Sequence, residues 1–189
     1  MVVGVFEGMQ WLNDPPHWSL DGGLLHVVTA ERTDFWRLTS CGECRDNGHF
    51  YYLALAGDFS VTLTVTARFE GLYDQAGLMV RADEEHWLKA GGEVFAGATQ
   101  LSTVVTRGFS DWSVAPWDGG GNLKVRVARR GSALRVEHMS GAGHWALLRD
   151  AYLEMPARVD VGAMCCSPER AGFEATFRDF TVGPAAEAP

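Results

Sequence analysis

Alternation with a period of two residues is the feature of this sequence that most constrains its fold. From Phe59 to Ala67, apolar residues or alanine alternate with serine or threonine without a break. Successive side chains of a β-strand point to opposite faces, so this segment predicts a strand with one buried and one open face. We expect Val61, Leu63 and Val65 to lie in the core, and Thr62 and Thr64 to face outward.

Comparable runs recur along the chain and are separated by turn signals such as Asp21-Gly22-Gly23. No apolar pattern of helical period extends over three turns. The sequence therefore predicts an all-β fold, a two-sheet antiparallel jelly-roll sandwich, with one domain over 1–182 and a flexible tail over 183–189. The further predicted strands are 24–29, 51–56, 76–82, 101–106, 123–128, 134–139, 145–148, 159–163 and 173–182.

The charge distribution excludes some classes of partner. The chain has a formal net charge of -8 and its lysines and arginines are scattered, so we expect no nucleic-acid partner. No apolar run approaches membrane-spanning length, and residues 1–9 do not have the pattern of a secretory leader. These observations predict a cytoplasmic protein without a membrane partner.

The four cysteines have the count of a zinc site but not its spacing. Cys41 and Cys44 are separated by two residues, whereas Cys165 and Cys166 are adjacent, so that the side chains of this second pair point to opposite faces of a strand. We therefore predict thiols without a metal, and no cofactor.

Two strands can be aligned around the loop 82–86, and the distribution of charge fixes their register. If Arg81 opposes Trp87, then Met79 opposes Lys89 and Gln75 opposes Glu93 on one face, while the other face is wholly apolar. A slip by one residue would bury the charge of Lys89 without a partner. The preferred register predicts an exposed polar band that contains Gln75, Arg81, Trp87, Lys89 and Glu93. An ordinary solvated face is the simpler interpretation of this band, but an exposed Trp87 among charges favours a binding surface.

Two other segments combine an acid with a ring. Asp34 and Trp36 share a face of an extended segment, whereas Asp111 and Trp112 point oppositely unless their segment turns. The alternative for both is a turn that hydrogen-bonds its own backbone and a Trp that covers the core. We predict that these four residues form the wall of a groove whose floor is the polar band.

The motifs YDQAGLMVR (73–81), WLKAGGE (87–93), LSTVVT (101–106) and SDWS (110–113), preceded by TDFW and DNGHF, resemble the "regulation of enolase protein" family. The resemblance extends from about Trp11 to Val182. It implies a jelly roll similar to the concanavalin A-like lectins and glucanases, in agreement with the strand pattern. Fold alone does not give a function.

Three functions are compatible with these residues. The first is non-catalytic binding of a carbohydrate or sugar-like metabolite, because rings and fixed polar groups together suit a polyhydroxylated ligand. The second is a regulatory module that binds a protein partner. The third, a glycoside hydrolase, needs two suitably spaced carboxylates. The sequence lacks the E-x-D-x-x-E strand motif of jelly-roll glucanases, so we predict no catalytic residues.

Overall fold

The computed structural model describes residues 3–4, 6–117 and 120–185, which form seventeen β-strands and no helix. The strands are β1 Val3–Gly4, β2 Gln10–Leu12, β3 His17–Asp21, β4 Leu24–Val28, β5 Phe35–Arg37, β6 Cys44–Asp46, β7 His49–Ala56, β8 Phe59–Ala67, β9 Gln75–Arg81, β10 His86–Phe95, β11 Ala98–Arg107, β12 Phe109–Pro116, β13 Leu123–Arg130, β14 Ala133–Met139, β15 Trp145–Tyr152, β16 Arg158–Cys166 and β17 Glu174–Gly183.

Two large antiparallel sheets form a sandwich, which confirms the predicted fold class. The eight-stranded sheet has the order β15-β14-β13-β8-β17-β4-β3, with β1 paired to β17. The seven-stranded sheet has the order β12-β11-β10-β9-β16-β7-β2. Of the predicted tail, residues 186–189 lie outside the described part of the chain, and Gly183 ends β17.

The space between the two sheets holds the main hydrophobic core, which we call the sandwich core. Its β8 contribution follows the predicted alternation, since Val61, Leu63 and Val65 are fully buried. Thr64 lies on the outer face of β8, as predicted, but it is buried there. There β17 has an irregular register, and the Thr64 hydroxyl donates a hydrogen bond of 3.0 Å to Asp179.

A third layer lies outside the seven-stranded sheet. Strands β5 and β6 and the turn between them form a small two-stranded sheet, which we call the cover hairpin. A second apolar cluster, the outer core, fills the space beneath it and includes Phe35, Met79 and Trp87. The cover hairpin therefore removes part of the outer sheet face from solvent.

The register of β9 and β10 agrees with the prediction at every pair. Arg81 opposes Trp87, Met79 opposes Lys89 and Gln75 opposes Glu93. At the centre of this pair the strands approach so closely that a Cβ atom on Gly77 would lie 2.0 Å from the carbonyl oxygen of Ala90. Only glycine fits there.

Candidate functional site

The polar band of β9 and β10 has the predicted register but not the predicted exposure. All five of its residues are buried, with Trp87 only 1% and Lys89 only 4% exposed. Period-two alternation shows that two faces of a strand differ, but it does not show what covers the polar one. Here the cover hairpin lies on that face, so the prediction of an exposed band was wrong.

Buried ion pairs attach the cover hairpin and the adjoining Asp34 to the sheet. Arg81 donates two hydrogen bonds, of 2.7 and 2.8 Å, to the two carboxylate oxygens of Asp46. Lys89 Nζ donates to Asp34 Oδ1 at 3.1 Å and to the backbone oxygen of Phe35 at 2.6 Å. These charges are tolerated under the hairpin because each one has a partner of opposite sign.

Beyond the edge of the cover hairpin, the same sheet face opens into a pocket of about 570 Å³, which we call the hairpin pocket. Six of the nine predicted site residues line it, namely Asp34, Trp36, Gln75, Lys89, Glu93 and Trp112. The remaining lining residues are Thr39, Ser40, Cys41, Glu43, Arg45, Tyr73, Phe95, Val104, Pro168 and Glu169.

The other three predicted residues lie elsewhere. Trp87 is buried in the outer core against the ring of Phe35, so truncation of Trp87 would create a core cavity. Arg81 lies under the hairpin with Asp46. Asp111 points away from Trp112 because β12 does not turn between them. Its side chain is 63% exposed and forms an ion pair of 3.0 Å with Arg149.

Glu93 is the buried carboxylate at the floor of the hairpin pocket. Its Oε2 atom accepts hydrogen bonds from Ser102 Oγ at 2.5 Å and from Trp112 Nε1 at 2.9 Å. Burial raises the pKa of Glu93, and the nearby charge of Lys89 with these two hydrogen bonds only partly opposes the rise. Among the described residues no hydrogen-bond donor contacts Oε1.

Lys89 remains charged although it is almost inaccessible to solvent. Burial by itself lowers its pKa, but the carboxylates of Asp34 and Glu93 more than compensate, and the pKa is raised overall. Asp34 also accepts hydrogen bonds from the backbone amide of Phe35 and from Gln75 Nε2. The floor of the pocket is thus a fixed network of charged and polar groups.

Three rings form an aromatic wall beside Glu93. The rings of Phe95 and Trp112 are 4.8 Å apart and nearly perpendicular, at 85°, and Tyr73 stacks on Phe95 with a centroid distance of 6.2 Å. Tyr73 has a backbone φ of 62°, a conformation that is uncommon for residues with a side chain. The next residue, Asp74, is fully buried and accepts hydrogen bonds from the amide of Gly71 and the guanidinium of Arg170, which holds this turn in place.

Several of these residues were missed by the sequence analysis although a signal was present. Tyr73 precedes Gln75 by two residues, and Phe95 follows Glu93 by two. The period of two residues therefore predicts both rings on the face that carries Gln75 and Glu93. The residues of the hairpin turn, such as Cys41 and Glu43, have no comparable signal. Their position depends on how a short hairpin folds over a distant sheet.

The arrangement offers hydrogen-bonding and ring contacts but no recognisable metal centre. Across the described ranges, no group of three or more His, Cys, Asp or Glu side chains is placed to hold a metal ion. Cys41 and Cys44 are exposed on the cover hairpin, whereas Cys165 and Cys166 are buried and burial raises the pKa of both thiols. The described residues also contain no helix that could span a membrane.

Comparison with known proteins gives a family and a set of similar folds. Residues 11–185 match the family described as "Protein of unknown function (DUF1349)". Regulation of enolase protein 1 of Saccharomyces cerevisiae is 41% identical over 175 residues, which cover 91% of this chain and 87% of that protein. A crystal structure of a functionally unknown protein from Saccharomyces cerevisiae superposes with a TM-score of 0.93 at 38% identity, over 97% of this chain and 100% of the other.

A more distant similarity concerns the fold alone. Xylan β-1,4-xylosidase from Bacillus halodurans superposes with a TM-score of 0.67 at 13% identity. The match covers 94% of this chain but only 38% of the xylosidase. This chain is therefore similar in fold to one part of that larger enzyme.

Proposed function

The chain belongs to the DUF1349 family, and from this premise we propose that it is a non-catalytic β-sandwich domain that binds a carbohydrate-like ligand in the hairpin pocket. One observation carries the proposal. The aromatic wall of Tyr73, Phe95 and Trp112 stands directly beside the fixed polar floor formed by Glu93 and Lys89.

A sugar ring needs both kinds of surface. Its C–H face is apolar and packs on an aromatic ring, while its hydroxyls need donors and acceptors that are already oriented. Trp112 supplies a ring whose indole nitrogen is held by Glu93 and Ser102. Gln75 and Lys89 supply polar groups fixed by Asp34. Such pre-organisation lowers the entropy lost on binding.

Binding rather than hydrolysis is supported by how Asp34 and Glu93, the carboxylates of the pocket floor, are engaged. Asp34 Oδ1 accepts hydrogen bonds from the ammonium of Lys89 and from two N–H donors, so this oxygen is already engaged within the protein. Burial raises the pKa of Glu93, which is the direction expected of a general acid, so release of reducing sugar is the assay that separates the two functions. We expect none.

The direct test is isothermal titration calorimetry of the full chain against mono- and oligosaccharides. Xylo-oligosaccharides come first, because one protein of similar fold is named a xylan β-1,4-xylosidase. Trp112→Ala should weaken binding about tenfold or more, or about 1.4 kcal/mol. Trp145→Ala is the matched control, because Trp145 stacks on Arg126 at 4.2 Å on the eight-stranded sheet, outside the pocket. If no saccharide binds, or if both variants lose binding equally, the proposal is wrong.

A regulatory protein-binding role is the second candidate. Phe109, Leu147 and Tyr152 are exposed on β12 and β15, which are the edge strands of the two sheets on one side of the sandwich. The yeast relative is named for regulation of enolase. Sedimentation of the chain mixed with purified enolase tests this candidate, and Phe109→Ser should abolish any complex that uses the edge.

We also propose a cytoplasmic location. The four cysteines are free thiols in the structure, two of them exposed, which fits a reducing compartment. Fractionation of cells that express the tagged chain would test this location, and recovery of the chain in a membrane or secreted fraction would contradict it.

A further inference from the structure

The charges that line the hairpin pocket are not balanced. The pocket is lined by four carboxylates and two cations, an excess of two negative charges, from Asp34, Glu43, Glu93, Glu169, Arg45 and Lys89.

Both cations are used within the protein. Lys89 is bonded to Asp34 at 3.1 Å, and Arg45 is bonded to Glu43 at 2.9 Å through Nη2. Within the described part of the chain, neither Glu93 nor Glu169 forms an ion pair. Lys89 also attracts Glu93 without bonding to it, but the lining keeps its excess of negative charge, which favours a cationic ligand over an anionic one.

The surroundings of Glu93 fit a cation that can also donate hydrogen bonds. The donors to Glu93, Ser102 and Trp112, are both neutral and both reach Oε2. Beside the carboxylate, Phe95 and Trp112 present rings at 85° to each other. The faces of aromatic rings attract cations, and a carboxylate oxygen without a donor accepts a charge-assisted hydrogen bond from an ammonium group.

We infer that the ligand of the hairpin pocket is a sugar-like molecule with a primary ammonium group, an amino sugar, whose ammonium binds Glu93 beside the rings of Phe95 and Trp112. This inference rests on the proposed function and names its ligand class. A quaternary ammonium is a poorer fit, because it has no N–H to donate to Glu93.

The test compares ligands of similar shape and different charge by calorimetry at neutral pH. Glucosamine carries the ammonium, N-acetylglucosamine and glucose are neutral, and glucuronate is anionic. We expect glucosamine to bind about tenfold or more tightly than glucose, and glucuronate more weakly than either. Glu93→Gln should reduce glucosamine affinity to the level of glucose, since an amide can still accept the hydrogen bonds from Ser102 and Trp112.

Two further variants keep the result interpretable if Glu93→Gln does not fold. Glu169→Gln alters an exposed side chain and should reduce the preference for glucosamine by a smaller factor. Glu154→Gln, an exposed glutamate that does not line the pocket, should change nothing.

The outcomes separate the two proposals. Equal affinity for glucose and glucosamine, lost in Trp112→Ala, would overturn the ammonium inference and leave carbohydrate binding intact. Tighter binding of glucuronate would also overturn it. Failure of every saccharide to bind would overturn both. Preference for glucosamine that survives in Glu93→Gln and in Glu169→Gln would assign the ammonium to another part of the pocket and so contradict the inference.

Discussion

Replacement of Lys89 by methionine tests the idea that burial determines how much an ion pair contributes to stability. Methionine keeps an unbranched stem of similar length but removes the ammonium that bonds Asp34 and the carbonyl of Phe35. Removal of one partner of a buried pair costs about 3–5 kcal/mol. In this variant Asp34 keeps two N–H donors, and its side chain is 14% exposed at the pocket. We therefore expect a loss of stability at the lower end of this range, about 3 kcal/mol.

The chain contains a matched control for this variant. Arg45 and Glu43 have a similar separation, 2.9 Å against 3.1 Å, but their side chains are 39% and 58% exposed. Arg45→Met should therefore cost no more than about 1 kcal/mol. Urea unfolding at neutral pH measures both values, and in a thermal scan the Lys89→Met loss corresponds to a decrease in Tm of roughly 6–12 °C.

Two additional measurements sharpen the test. Asp34→Asn added to Lys89→Met removes the unpaired charge and should recover about 1 kcal/mol or more. Because the pKa of Lys89 in the folded chain is raised above its ordinary 10.5, its contribution is fully present below that pH and is lost as pH rises through the folded value. A cost for Lys89→Met no larger than that for Arg45→Met would refute the reasoning.

Two other substitutions test the pocket floor and the close strand contact. Burial raises the pKa of Glu93 above its ordinary 4.5, although the positive charge of Lys89 opposes the rise. Between pH 4.5 and the folded pKa, the folded chain therefore holds a proton that the unfolded chain has released. Stability should therefore fall as pH rises from about 4.5 to the folded pKa, and Glu93→Gln should flatten that decline in urea midpoints; an unchanged pH profile would contradict this. Gly77→Ala should destabilise the fold by about 3 kcal/mol, because its Cβ would collide with the Ala90 carbonyl. Gly141→Ala, where a Cβ meets nothing within 4 Å, should be nearly neutral, and equal melting temperatures for the two variants would refute the assigned contact.

The parts of the fold that could be predicted are those in which local pattern and burial agree. The β8 alternation is uninterrupted, and each of its apolar residues has a place in the sandwich core. The register of β9 against β10 was also predictable, because the strands are joined by a short loop and a slip would bury Lys89 unpaired. Both inferences needed only neighbouring residues and the cost of a buried charge.

The covering of the polar band could not be predicted, because it depends on contacts between residues distant in sequence. Strands β5 and β6 have only three residues each, too few for a periodic signal. The alternation also does not show whether a polar face is exposed or paired. The partner of Arg81, for example, is Asp46, which lies 35 residues away in the sequence. For Asp111 the local pattern was right and the prediction was wrong. The alternation places Asp111 and Trp112 on opposite faces of the strand, but the prediction placed both in the wall of one groove.

The cover hairpin has a consequence for how related chains can diverge. Part of the rim of the hairpin pocket, formed by Thr39, Ser40, Cys41 and Glu43, comes from the turn between β5 and β6. Insertion or deletion in that turn would alter the size of the acceptable ligand without displacing any strand of the sandwich. The hairpin turn can therefore change part of the rim while the sheet strands keep the groups of the pocket floor in place.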